Sequence, residues 1–245
     1  MRVLVLGGTG EGKRLAQGLT QQGHEATYSV ADPDARADVP GPVRRGGFGG
    51  VDGLVAGLAH GGFELLIDAT HPYAAGISAN ARQASEQTRI PLWAVRRPPW
   101  EPGPDDDWTF LPHGVSAREA AAGLRRPLFT VGPAPLDEAP VPGGQHWIVR
   151  CLPGHGRSEP ASTTILAQRG PFGVEDERAL FALLGVDGLI TKNSGGSAVA
   201  AKLVVARELD LPVRIEARPN LPAADREFQD PETLLDALAG RGHKA

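Results

Sequence analysis

Residues 2–23 read RVLVLGGTGEGKRLAQGLTQQG. The run RVLVLG (2–7) has the valine and leucine content of a short buried strand, and KRLAQGLTQQG (13–23) spaces its apolar residues as a helix does. Between them GTGEG is too rich in glycine to continue either element, so the segment predicts a strand, a tight turn and a helix. Glycines permit positive φ and let backbone N–H groups come close to a pyrophosphate at the positive end of a helix. The spacing is not the standard dinucleotide fingerprint. Gly8 and Gly10 supply G-x-G, but the third position falls on Lys13, while Gly7, Gly10 and Gly12 give G-x-x-G-x-G. A plain strand-to-helix turn would use the same residues, and it is the context that favours a dinucleotide.

The pattern continues outward. EATYSVA (25–31) predicts a strand, PVRR (42–45) a short one, and VDGLVAGLAHG (51–61) a helix. FELLIDAT (63–70) predicts a strand, residues 72–89 a helix and PLWAV (91–95) another strand. Strand and helix in alternation predict a parallel sheet with helices on both faces. RPPWEPGPDDD (97–107) then interrupts with four prolines and three aspartates and reads as a linker. Beyond it, helices are expected at 116–124, 174–185, 195–209 and 231–240, and strands at 127–131, 146–151, 163–168, 187–191 and 212–217. The fold class is therefore α/β, with one domain over residues 1–98 and a second, an echo of the first, over 99–245.

Composition narrows the function classes. A net charge of −4 over 245 residues gives no global attraction to nucleic acid or to an anionic membrane. No apolar run approaches the ~20 residues of a membrane helix, and the chain opens on a folded strand rather than a secretory segment. Cys151 is the single cysteine, which leaves no intrachain disulfide and no thiolate cluster for a metal. The cytoplasm is the expected compartment. The 25 basic residues include only four lysines, Lys13, Lys192, Lys202 and Lys244, so each lysine position invites inspection.

Three stretches carry candidate chemistry. After the second strand come Asp32, Asp34 and Arg36, with Arg44 and Arg45 at the next strand. An acid there suits the free ribose of NAD and an arginine the 2′-phosphate of NADP, and the residues present leave both open. DATHPYA (68–74) gathers a carboxylate, a hydroxyl, an imidazole and a phenol at a strand's carboxyl end, where open α/β sheets bind ligands. Thr70 could cap the following helix, with Pro72 in its first turn. TKNSGGSAVAAK (191–202) places Asn193, Ser194 and two glycines at an expected helix N-terminus with Lys192 beside them, an arrangement equally suited to an anion site and to an ordinary capped turn.

GGTGE, DATHPYA, QRGPF (168–172) and TKNSGG with its downstream lysine, in this order from residue 2 to about 219, resemble the precorrin-6A reductase family, NADPH-dependent reductases of corrin-ring biosynthesis. The chain departs from the family pattern at Gly12, where alanine is expected, and at VGPAP (131–135). The resemblance implies two Rossmann-like domains with parallel sheets, an active site in the interdomain cleft, and hydride transfer from NADPH to a ring double bond of precorrin-6A. Gly8, Thr9, Gly10 and Glu11 would contact the cofactor, with Arg36, Arg44 or Arg45 near its 2′-phosphate. Thr70, His71, Pro72 and Tyr73 would line the nicotinamide side, with His71 and Tyr73 the catalytic candidates. Lys192, Ser194, Gly195, Gly196 and Lys202 would hold carboxylates of the tetrapyrrole. The implied chemistry needs no metal, and its expected partners are the substrate and, in transient contacts, neighbouring pathway enzymes. A non-catalytic NADP sensor and an S-adenosylmethionine enzyme are the rival readings; the first would have no use for the Lys192 loop.

Overall fold

A computed structural model describes residues 1–33, 35 and 37–240. The chain divides into two compact units, Met1–Pro98 with the chain from Pro219 onward, and Pro99–Arg218.

The first unit is built on strands β1 (Arg2–Leu6), β2 (Glu25–Val30), β3 (Val43–Arg45), β4 (Leu65–Asp68) and β5 (Leu92–Val95), separated by helices α1 (Gly10–Gln21), α2 (Val51–Gly61) and α3 (Ala75–Thr88). All pairings are parallel, and β1 lies between β2 and β4. Strand parity explains the layering. Val3, Val5, Leu65, Ile67 and Trp93 face one way, onto Leu15 and Leu19 of α1. Leu4, Leu6, Leu66 and Leu92 face the other, onto Leu54 and Leu58 of α2 and Ala81 and Ala84 of α3. Strands covered on both faces must be apolar at consecutive positions, which is why LLID and LWAV are buried throughout.

The second unit repeats the plan. Its strands are β6 (Trp108–Leu111), β7 (Pro127–Thr130), β8 (Trp147–Cys151), β9 (Thr163–Ala167), β10 (Gly188–Lys192) and β11 (Val213–Glu216), and its helices α4 (Ala117–Ala120), α5 (Val174–Leu184) and α6 (Ala201–Glu208). The strand order β6-β11-β10-β7-β8-β9 is again all parallel. Leu128, Ile148 and Leu189 pack on the α5 and α6 side, and Phe129, Trp147 and Ile190 on the α4 side.

Two edge strands lie outside the sequence expectations. β6 completes the second sheet beside β11, and β12 (Arg226–Phe228) completes the first beside β5. Neither has the apolar run of a central strand; Phe110 of β6 is 54% exposed. The expected domain span 99–245 is corrected accordingly. After Arg218 the chain returns to the first unit, where β12 joins the sheet and α7 (Pro231–Ala239) packs against α1. Leu234 and Leu238 are buried in the same cluster as Val3, Val5 and Leu15. Asp225 fixes the return, accepting hydrogen bonds from Arg82 Nη1 and from the Leu92 amide, both at 2.8 Å. No helix of the described residues is long and apolar enough to cross a membrane.

This return predicts which unit a terminal mutation weakens. Leu234 is fully buried, and Leu234→Ala should cost about 2–5 kcal/mol. Hydrogen exchange should quicken in β1, β4 and α1, while β7 and β10 keep wild-type protection.

Candidate functional site

The strand order of the first sheet reverses at β1, so the crevice beyond the carboxyl ends of β1 and β4 is its natural ligand position. Two of the sequence's motifs end there. The glycine turn follows β1 and DATHPYA follows β4, and one hydrogen bond joins them, from Thr9 Oγ1 to Ala69 O at 2.7 Å. Thr9 is also the N-cap of α1, its hydroxyl accepting the Gly12 amide at 3.1 Å. Gly8 has φ +102°, closed to most side chains, and a side chain begun at Gly10 would meet no protein atom within 4 Å. Gly12 has no such freedom: a Cβ there would lie 3.1 Å from Gly7 Cα and 3.2 Å from the Tyr28 ring.

Asp68 organises the other wall. Its carboxylate is fully buried and accepts hydrogen bonds from the Thr70 amide (3.0 Å), Thr70 Oγ1 (2.6 Å), Ser78 Oγ (2.6 Å) and Arg96 Nη2 (2.7 Å). Burial alone would raise its pKa, but the Arg96 charge and these hydrogen bonds outweigh it and hold the carboxyl below the usual range. The expected cap is thereby corrected. Thr70 spends its hydroxyl on Asp68, α3 begins later, at Ala75, with no side-chain cap, and Pro72 sits in the turn before it. A charged acceptor within reach is a stronger partner than a distant helix amide.

In the same turn His71 Nδ1 accepts the Tyr73 amide at 3.3 Å, which assigns the proton of the neutral ring to Nε2. The His71 and Tyr73 rings are tilted, with centroids 5.7 Å apart. Gly8, Thr70 and His71 line a cavity of about 390 Å³, together with Ser29, Ala31 and the loop GGFGG (46–50). Thr9, Glu11, Thr70 and Pro72 line an adjoining narrow crevice with Arg97. Tyr73 lines neither. Glu11 is clamped by Arg97 Nη1 at 2.9 Å; burial would raise its pKa, but Arg97, a backbone hydrogen bond and Arg14 bring it below the usual value.

Sequence reasoning missed Arg96, Arg97, Ser78 and the GGFGG loop, although four glycines in five residues were a visible signal. Among the arginines considered for a 2′-phosphate, Arg44 is occupied. It donates to Gly46 O (2.5 Å) and Gly47 O (2.9 Å) and stacks 3.6 Å from the Phe48 ring centroid. Arg45 is exposed and donates to Ala35 O at 3.2 Å. Asp34 and Arg36 lie outside the described residues.

In the second unit, Lys192 lines a cavity of about 370 Å³ with Phe129, Ile190, Glu138 and Glu216. The loop that follows does not run straight into a helix, as expected. Gly195 has φ +69°, residues Ser197–Val199 form a 3-10 turn, and α6 starts at Ala201. Asn193 is used structurally, its side chain bonding both backbone groups of Trp100 at 2.7 and 3.1 Å. Ser194 and Gly196 are buried.

The two lysines grouped at this site lie on opposite faces of the sheet. Lys192 shares the parity of Ile190 on the α4 side, whereas Lys202 is buried on the α5 and α6 side, its Nζ donating to Thr130 Oγ1 at 2.9 Å. Beside it Arg150 Nη1 donates to Glu177 Oε1 at 2.6 Å, both side chains buried. Burial, helped by Arg150 and opposed by Glu177, lowers the Lys202 pKa to about 7. Among the described residues no group of three or more His, Cys, Asp and Glu could hold a metal ion.

The sequence profile of the precorrin-6x reductase CbiJ/CobK family matches residues 2–239. A precorrin-6A reductase of Rhodococcus erythropolis is 40% identical over 233 residues, 94% of each chain. One of Rhodobacter capsulatus is 40% identical over 227 residues, 91% of this chain and 90% of the relative. A solved structure titled CobK precorrin-6A reductase superposes with a TM-score of 0.87 at 37% identity, covering 99% of this chain and 97% of its own.

The buried lysine gives a signed pH dependence. Unfolded, Lys202 holds its proton to about 10.5; folded, it releases it near 7. Between these values the unfolded chain binds more protons, so this group makes stability rise with pH. Urea midpoints at pH 7, 8.5 and 10 should climb for the wild type relative to Lys202→Met, whose profile lacks this contribution.

Proposed function

The chain belongs to the precorrin-6x reductase family, and on that premise we propose that NADPH is the reductant bound at its first glycine turn. The enzyme is an oxidoreductase of cobalamin biosynthesis that reduces a macrocycle double bond of precorrin-6A to give precorrin-6B. A nicotinamide supplies the hydride, so the protein's share is to bind, orient and exclude water.

One observation carries the cofactor reading: the glycine turn and the DATHPYA turn meet at the sheet's switch point, beside a cavity lined by Gly8, Thr70 and His71, and a side chain begun at Gly10 would meet no protein atom within 4 Å. Residues Gly8, Thr9 and Gly10 would hold the diphosphate at the positive end of α1. Glu11 braces this turn through Arg97. Arg45 is our choice for the 2′-phosphate, because Arg44 is committed to the loop it stacks on. Thr70 and Pro72 would back the nicotinamide, and His71, with its proton on Nε2, would polarise the accepting side of the substrate by donating a hydrogen bond to it. Tyr73 fixes that tautomer through its amide. In the second unit Lys192, Ser194, Gly195 and Gly196 would receive substrate carboxylates. Lys202, on the opposite face with its Nζ engaged by Thr130, is left out of that role.

Incubation with precorrin-6A and NADPH should give a two-hydrogen mass gain, with NADH giving a lower kcat/KM. Gly10→Val, which puts a branched side chain where the diphosphate must approach, should abolish NADPH binding and leave the fold intact. Normal binding by that variant would move the cofactor elsewhere.

Lys192→Ala should leave NADPH affinity alone and raise the product's Kd roughly ten- to a hundredfold, since a charged hydrogen bond contributes about 1.5–3 kcal/mol. Added salt should shrink the difference. Titration calorimetry with precorrin-6B measures both.

A further inference from the structure

Tyr28, on β2, is fully buried. Its hydroxyl accepts the Gly8 amide at 2.8 Å and approaches Thr9 O at 3.5 Å as a donor. Burial raises its pKa, so the phenol stays protonated and keeps both roles. The ring fills the space beneath the turn: a Cβ on Gly7 would lie 2.1 Å from Tyr28 Cε2, and one on Gly12 3.2 Å from the same atom. One side chain on the neighbouring strand thus touches the turn at residues 7, 8, 9 and 12.

We infer that Tyr28 is the positioning residue of the dinucleotide turn, its hydroxyl holding the Gly8 N–H and the Thr9 carbonyl on its own side, so that the turn presents its remaining amides to a diphosphate, and its ring requiring glycine at 7. This rests on the cofactor reading above. Gly8 has φ +102° and no side chain to lock it, and the nearby anchors, one backbone and one side-chain, lie on either side of the peptide in question. Gly7 N donates to Ser29 O at 2.8 Å, and Thr9 Oγ1 donates to Ala69 O. The intervening peptide is held by the phenol. Without it, the peptide can rotate, and amides aimed at a shared anion lose their common direction.

The role is separable from that of the 2′-phosphate, because the diphosphate is common to NADPH and NADH. Tyr28→Phe keeps the ring and removes only the hydroxyl. It should raise the Kd of both dinucleotides about fivefold, in line with one neutral hydrogen bond. KM for NADPH should rise with kcat little changed and with precorrin-6B affinity unaltered. Gly7→Ala should weaken dinucleotide binding in the wild-type background and cost less in the Tyr28→Leu background, where the ring's place is vacant. Binding is measured by titration of NADPH and of NADH, and folding by thermal unfolding. A Tyr28→Phe protein with a lower melting temperature but unchanged Kd values would make the contact merely structural and overturn the inference. So would additive effects of Gly7→Ala and Tyr28→Leu. Should Gly10→Val still bind NADPH normally, the cofactor reading falls and takes this one with it. Loss of binding in Gly10→Val beside unchanged Tyr28→Phe defeats the inference alone.

Discussion

The geometry around the first switch point depends on one buried charge. A carboxylate sealed inside a parallel sheet is tolerated only when its oxygens are fully engaged, and Asp68 meets this with Arg96, Ser78 and both donors of Thr70. Those partners come from the end of β5, from α3 and from the turn after β4. Their convergence fixes where the His71 turn leaves the sheet. Removing Arg96 would leave the charge uncompensated in the core, and removing Ser78 or Thr70 would leave a carboxylate oxygen short of a donor, so the network acts as a single corner rather than four separable bonds.

A second constraint works on the facing turn. There the anchoring group is neutral, and crowding matters as much as hydrogen bonding: Tyr28 leaves no volume for a side chain at Gly7. One wall is set by electrostatics and the other by shape, and the single bond from Thr9 to Ala69 ties them. The second unit has a different balance. Its buried Arg150–Glu177 pair and Lys202 stiffen the α5 and α6 face, and Lys192 stands on the other face among mostly apolar neighbours.

Much of this was readable beforehand. The strand–turn–helix at 2–23 and the doubly covered strands LLID and LWAV declare a parallel α/β sheet, because a segment buried on both faces has to be apolar at successive positions. The GGTGE, DATHPYA and TKNSGG motifs follow β1, β4 and β10, as the sequence implied. What stayed hidden depends on contacts between distant residues. Trp108–Leu111 and Arg226–Phe228 are edge strands of mixed polarity, made strands by their neighbours rather than by their own composition. Thr70 looked like a helix cap because nothing local shows that Asp68 is buried with Arg96, 28 residues on. Lys192 and Lys202 looked like one site, but a 3-10 turn and the alternation of the strand send them to opposite faces.

The return of the chain to its first sheet has a consequence for synthesis. A ribosome releases β1 to β5 well before β12 and α7 exist, with all of Pro99–Arg218 made in between. During that interval Val3, Val5, Leu15 and Leu19 lack Leu234 and Leu238 from their cluster, and β5 has an open edge. The second unit is one uninterrupted segment and can close as soon as it clears the exit tunnel. The half that begins first is therefore finished last, and the nascent chain carries an unsealed apolar surface and an unpaired strand edge until its final helix arrives, the condition under which chaperone capture competes with aggregation.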